Sequence, residues 1–67
     1  MIPKDKHGVK VNINDILLNS EGFYRVVNIS TGYVEIEEID FTENEDIIPI
    51  SDSYYIPINR TKYYEKI

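Results

Sequence analysis

The stretch FYRVVNISTGYVEIEEID, residues 23–40, decides the fold. Both of its arms are rich in β-branched and aromatic residues, which suit a pleated, half-buried backbone. The connector Ser30-Thr31-Gly32 carries a glycine where a three-residue hairpin loop needs a left-handed residue. The stretch therefore reads as a β-hairpin. In its first arm Phe23, Arg25, Val27 and Ile29 share one face while Tyr24 and Val26 lie on the other, so both faces are part apolar, as in a sheet that curls into a small barrel. The second arm sets Val34 and Ile36 inward and Glu35 and Glu37 outward, after which Glu38-Ile39 breaks the alternation. A β-bulge near Glu37-Glu38 would return Ile39 to the inner face and bend the strand.

Working outward, Ile16-Leu17-Leu18 is an apolar triplet closed by Asn19-Ser20-Glu21-Gly22, whose glycine can take the positive φ of a turn into a second hairpin. Upstream, only Val9, Val11 and Ile13 alternate as a strand does, and a short strand with a turn at Asn14-Asp15 is expected. Downstream, Phe41 to Asp46 is an acidic loop, and Ile47-Ile48-Pro49-Ile50 resumes as a strand. Pro49 has no N–H, so its amide side must face an edge or a bulge. Ser51-Asp52-Ser53 reads as a turn, Tyr54 to Ile58 as a strand, Asn59-Arg60-Thr61 as a single helical turn and Tyr63 to Ile67 as the closing strand. No long 3.6-residue apolar stripe occurs, so little helix is expected.

A chain of 67 residues makes one domain, 1–67, with a thin core, since it buries only about 60% of the surface exposed on unfolding. There is no cysteine, hence neither a disulfide framework nor thiolate metal ligation. The opening MIPKDKHG lacks the apolar core of a signal peptide, and no stretch approaches the roughly 18 apolar residues of a membrane span. A cytoplasmic protein without a membrane partner is the expectation. A net charge of −5 argues against direct nucleic-acid binding, which requires backbone phosphates to be neutralised by Lys and Arg. The charge is also uneven. No basic residue falls between Arg25 and Arg60, where Glu35, Glu37, Glu38, Asp40, Glu43, Glu45, Asp46 and Asp52 are found, while Lys4, Lys6, Lys10, Arg60, Lys62 and Lys66 occupy the chain ends.

Five short strands with tight turns, together with Ile56-Pro57-Ile58-Asn59 before Tyr63-Tyr64-Glu65-Lys66-Ile67, resemble an SH3-like barrel, whose tail runs apolar-Pro-x-Asn into one helical turn and a last strand. Arg60 stands where that family has Tyr, and the Ala-Leu-Tyr-Asp-Tyr opening and paired Trp of its peptide groove are absent, so the resemblance extends to the barrel plan and not to the groove. Lys4-Asp5-Lys6-His7-Gly8-Val9-Lys10-Val11 followed by Asn14-Asp15-Ile16-Leu17 is similar to the opening of YopX-like proteins, small β-rich proteins of phages and prophages. Asn14 replaces that family's Gly and keeps its tolerance for a positive φ. The resemblance implies a phage or mobile-element origin.

Among candidate chemistries, Asp40, Thr42, Asn44 and Asp46 begin like an EF-hand loop, but Glu45 stands at the required Gly and Ser51 at the required bidentate Glu, so no metal is expected. His7 has no evident nucleophile partner, Ser20, Ser30, Ser51 and Ser53 read as turn residues, and no Gly-rich phosphate loop exists, so neither enzymatic activity nor a cofactor is expected. The six tyrosines cannot all be buried in so small a core, and strand alternation turns one of each pair, Tyr54-Tyr55 and Tyr63-Tyr64, outward. Exposed Tyr beside acids suits protein binding; rings lying flat over a thin core are the plainer alternative. The sequence thus leads to a non-catalytic binding module. Glu35, Glu37, Glu38, Glu43, Glu45 and Asp46 would face a basic groove of a host protein, with Tyr33, Tyr54 and Tyr55 supplying contact area. An anti-CRISPR or anti-restriction inhibitor of a host nucleic-acid-handling protein is the concrete form of this reading. A subunit of a virion or larger assembly, self-associating through edge strands, is the first alternative. A nucleic-acid-binding barrel using Lys4, Lys6, Lys10, Arg25, Lys62 and Lys66 is the second.

Overall fold

In the computed structural model, which describes residues 1–67, the chain forms β1 (Ile16–Asn19), β2 (Gly22–Ser30), β3 (Tyr33–Phe41), β4 (Ile47–Pro49), β5 (Tyr54–Pro57), a 3-10 helix (Ile58–Tyr63) and β6 (Glu65–Lys66). Every ladder is antiparallel and all strands belong to one sheet, ordered β4-β3-β2-β1-β6 with β5 also beside β3. The all-β reading holds, with the 3-10 helix where a single helical turn was expected.

The sheet does not close into the expected barrel, because no ladder joins β6 to β4 or β5. β4 and β5 follow one another along the same edge of β3, and β6 is two residues long, so neither edge offers a partner to the other. Closure is replaced by packing: Val11 from the N-terminal segment and Ile58 from the 3-10 helix join Leu17, Tyr24, Val26, Val34 and Ile36 in one buried cluster. Each such aliphatic side chain contributes about 1.5–3 kcal/mol on burial.

Local geometry departs from the sequence reading at four places. The β2–β3 connector is the two residues Thr31 and Gly32, since Ser30 pairs with Tyr33, and Gly32 takes φ +84°. The bulge in that ladder is at Val27 and not at Glu37-Glu38. It moves Ile29 onto the face of Tyr24 and Val26, where it packs against the core. Ile39 accordingly stays on the outer face, and it is 3% exposed there, next to Phe23 and Phe41, whose rings meet edge to face at 5.2 Å. The irregularity opposite Glu37 and Glu38 belongs to the neighbouring edge, where Ile50 to Ser53 stand against these two residues. Finally, residues 1–15 form only the isolated bridge Lys4↔Lys10 in place of a strand. Val11 is fully buried while Val9 and Ile13 are about half exposed, so the alternation marks a single packed side chain.

Both edges of the sheet are obstructed against a further strand. On the β4–β5 edge, Thr42 N–H donates to Asp46 C=O at 2.9 Å and Ile50 N–H to Glu38 C=O at 3.0 Å. Alternation along an antiparallel ladder then turns the backbone groups of Ile47 and Pro49 outward. Ile58 N–H donates to Gly32 C=O at 2.9 Å, which by the same rule turns Tyr55 and Pro57 outward. Both prolines therefore sit where an N–H would otherwise face an incoming strand, as anticipated for Pro49. On the β6 edge, Lys66 N–H donates to Asp5 Oδ2 at 3.0 Å, and Lys6 N–H donates to Tyr64 C=O at 2.8 Å. A carboxylate and a loop amide thus stand in for a neighbouring strand. Asp5 Oδ1 also accepts the N–H groups of His7 and Val9, each at 2.9 Å. These donors, Lys66 first, hold the Asp5 carboxyl below the usual carboxylate range against the opposing effect of burial.

Candidate functional site

The acids of β3 divide by strand alternation. Glu35 and Glu37 lie on the outer face, in register with Asn28 and Arg25, whereas Glu38 and Asp40 lie on the inner side, in register with Tyr24 and Ile48. Glu37 is neutralised: its Oε1 accepts Arg25 Nε and Nη2, both at 2.7 Å, while Arg25 Nη1 reaches Asn14 Oδ1 at 2.8 Å. It is a clamp within the sheet and not a free docking charge. Glu35 accepts a hydrogen bond from Ser53 Oγ. Glu43, Glu45 and Asp46 are exposed on the β3–β4 loop, which is bent by Thr42 Oγ1 accepting Asn44 N–H at 3.2 Å and Asp46 N–H at 3.0 Å, with Glu45 at φ +65°.

The ion pairs of the molecule are Lys6–Glu65, His7–Glu65, Arg25–Glu37 and Lys66–Asp15. Glu35, Glu38, Asp40, Glu43, Glu45, Asp46 and Asp52 take part in none of them. All seven belong to β3 or to the loops that join β3 to β4 and β4 to β5, so these seven are gathered on one side of the sheet, though on both of its faces, while Asp5 and Glu21, also outside any ion pair, lie elsewhere.

The tyrosines split in the same way. Tyr33 and Tyr55 are 53% and 63% exposed on the outer face and, with Ser30, line a shallow depression of about 320 Å³. Tyr54 faces the inner side with Glu38, near the edge-to-face pair Tyr24–Tyr64 at 5.5 Å. Burial first, then the nearby Tyr64, Tyr24 and Glu38, push the Tyr54 hydroxyl up to about 12. The nine residues expected to bind a partner thus form three groups: Tyr33, Glu35, Glu37 and Tyr55 outside; Glu38 and Tyr54 inside; Glu43, Glu45 and Asp46 in the loop.

What the sequence reading missed on this side is apolar. Ile47, Ile48 and Ile50 are 43%, 44% and 54% exposed. Pro49 was the available signal, because a strand it confines to an edge exposes its neighbours. The basic residues gather only in part. Lys4 and Lys62 share a small depression with Met1, Ile2 and Asn59, and the Arg60 and Lys62 head groups lie 5.7 and 5.4 Å from the Tyr63 ring centre, while Arg25, Lys66 and Lys6 are committed to carboxylates. No group of three or more His, Asp or Glu side chains is arranged to hold a metal ion, and no helix is long and apolar enough to cross a membrane. Compared with family models, with curated proteins and with solved structures, the chain matches none, and its architecture stands as a small antiparallel all-strand sheet.

Proposed function

We propose that the protein is a non-catalytic binding module that uses the acidic side of its sheet to occupy a basic protein surface, one that normally receives nucleic acid. The observation that carries this reading is the gathering of seven carboxylates without an ion-pair partner on β3 and in the β3–β4 and β4–β5 loops, beside exposed Ile47, Ile48, Ile50, Tyr54 and Tyr55. Charge steers the encounter and apolar area holds the complex. The YopX-like opening belongs to the same proposal: a phage or mobile-element protein, acting in the host cytoplasm on a defence or nucleic-acid-handling protein. Strand addition is opposed by Pro49 and Pro57 on one edge and by Asp5 and Lys6 on the other, which argues against an assembly subunit joined through its edges. Direct nucleic-acid binding is opposed by the commitment of Arg25, Lys6 and Lys66 to carboxylates. The test is affinity capture from host lysate across a salt series. Retention should fall steeply by about 0.5 M salt, where screening is nearly complete beyond a few ångströms. A captured protein held equally well throughout would contradict the reading.

A further inference from the structure

Five residues stand in register across five strands on the outer face: Glu65 in β6, Leu18 in β1, Phe23 in β2, Ile39 in β3 and Pro49 in β4. On the loop side of this row lie Phe41 and Ile47, paired with each other. Ile39 is almost wholly buried at the centre, Leu18, Phe23 and Phe41 are half-buried, and Ile47 and Pro49 are exposed. The Arg25–Glu37 pair bounds the row on one side and carries no net charge. The other side is bounded by the β1–β2 turn with Glu21 and the β3–β4 loop with Glu43, Glu45 and Asp46, none of them in an ion pair. An apolar row whose turn-and-loop side carries these four acids, with Lys6 beside Leu18 and Glu21 only at its β6 end, suits an occupant that is apolar along one stripe and basic beside it. Pro49 and Pro57 on one edge and Asp5 and Lys6 on the other obstruct strand addition, which favours an occupant that lies face-on, and a helix packed on a sheet is the ordinary face-on layer.

We infer that this row is a docking surface for a basic amphipathic helix of a partner protein, laid across β1 to β4 with its apolar stripe on Leu18, Phe23, Phe41 and Ile47 and its Lys or Arg side chains toward Glu21, Glu43, Glu45 and Asp46. Four strands spaced about 4.8 Å apart span about 14 Å, which is roughly ten residues of helix, a short but sufficient footing for apolar positions three and four apart. The inference rests on the proposed function, because it names which face and which partner element serve it.

The experiment is an NMR titration of the full chain with a synthetic Leu/Lys peptide of about 18 residues patterned as an amphipathic helix, alongside a scrambled peptide of the same composition. Shifts should concentrate on Leu18, Phe23, Ile39, Phe41 and Ile47, and the scrambled peptide should bind at least about tenfold more weakly. Ile47→Ser, at an exposed position that leaves the fold intact, should weaken the patterned peptide about fivefold, and Phe41→Ser by more if it folds. Equal binding of the two peptides, shifts spread over the acids of both faces, or indifference to Ile47→Ser would overturn the inference, and so would sedimentation showing that a second copy of the chain already covers this face. None of these outcomes touches the salt-sensitive capture that tests the proposed function, so the two can fail separately.

Discussion

Where the two chain ends meet, carboxylates hold the fold together; along β3 and the loop after it, they hold almost nothing. Asp5 accepts three backbone N–H groups from its own loop and from β6. Asp15 lies 3.0 Å from Lys66 Nζ, which also donates to Lys10 C=O at 3.1 Å, and Glu65 sits between Lys6 at 3.7 Å and His7 at 3.5 Å. Glu38, Asp40, Glu43, Glu45, Asp46 and Asp52 approach no basic group, and one side of so small a sheet bears their mutual repulsion. The comparison separates charge that is consumed by the structure from charge that the structure leaves unpaired. Arg25–Glu37 is the exception that marks the boundary, an acid of the second region used as in the first.

The comparison breaks most visibly at Asp5. Asp5→Ala leaves three N–H groups without their acceptor and unseals the β6 edge, and it should lower the melting temperature more than any substitution among the β3 and loop acids. Asp5→Asn, which keeps one carbonyl oxygen, should fall between. Because the folded carboxyl is held below its usual value, its contribution is complete above the ordinary carboxylate pKa of about 4 and is lost as pH falls through the lower folded value. Melting followed against pH should therefore show a steep acid limb in the parent that is flattened in Asp5→Asn.

A smaller effect is expected at the boundary pair. Arg25→Ala strands a mostly buried Glu37 and should cost about 1–2 kcal/mol in denaturant unfolding, whereas replacing the pair by Met and Leu should cost less than the single change. Smaller still in folding energy is Pro49→Ala with Pro57→Ala, which restores two outward N–H groups on the β4–β5 edge. Stability should change little, but sedimentation should reveal concentration-dependent self-association absent from the parent.

Much of the first region was illegible in the sequence for a reason visible in its contacts. Asp5 acts on Lys66 and Lys6 on Tyr64, partners at the opposite end of the chain, and no local pattern announces them. The central hairpin, the Asn19-to-Gly22 turn, the positive φ of Asn14 and the edge position of Pro49 were legible because each is dictated within a few residues. The Val27 bulge shows how narrow the margin is. Continuing the register of Ser30↔Tyr33 without it would set Arg25 opposite Glu38, and the one extra residue sets it opposite Glu37 instead. That shift decides which acid is neutralised and which face Ile29 takes, while the unbroken alternation of β3 keeps Ile39 outside and divides its acids between the two faces. The unpaired acids of this region lie near one another, though not on one face, because β4 and β5 follow β3 in sequence and pair along one of its edges.

The smallest expected effect on folding is also the sharpest measure of the central claim, that the carboxylates of β3 and its loops serve an external partner. Glu43→Lys, Glu45→Lys and Asp46→Lys should together leave the melting temperature within a few degrees of the parent, since each exposed change is worth at most about 0.5 kcal/mol, while association with the captured host protein slows by about tenfold or more. A triple variant that binds that protein at the parental rate, or that unfolds because the three charges were holding the loop, would contradict the account.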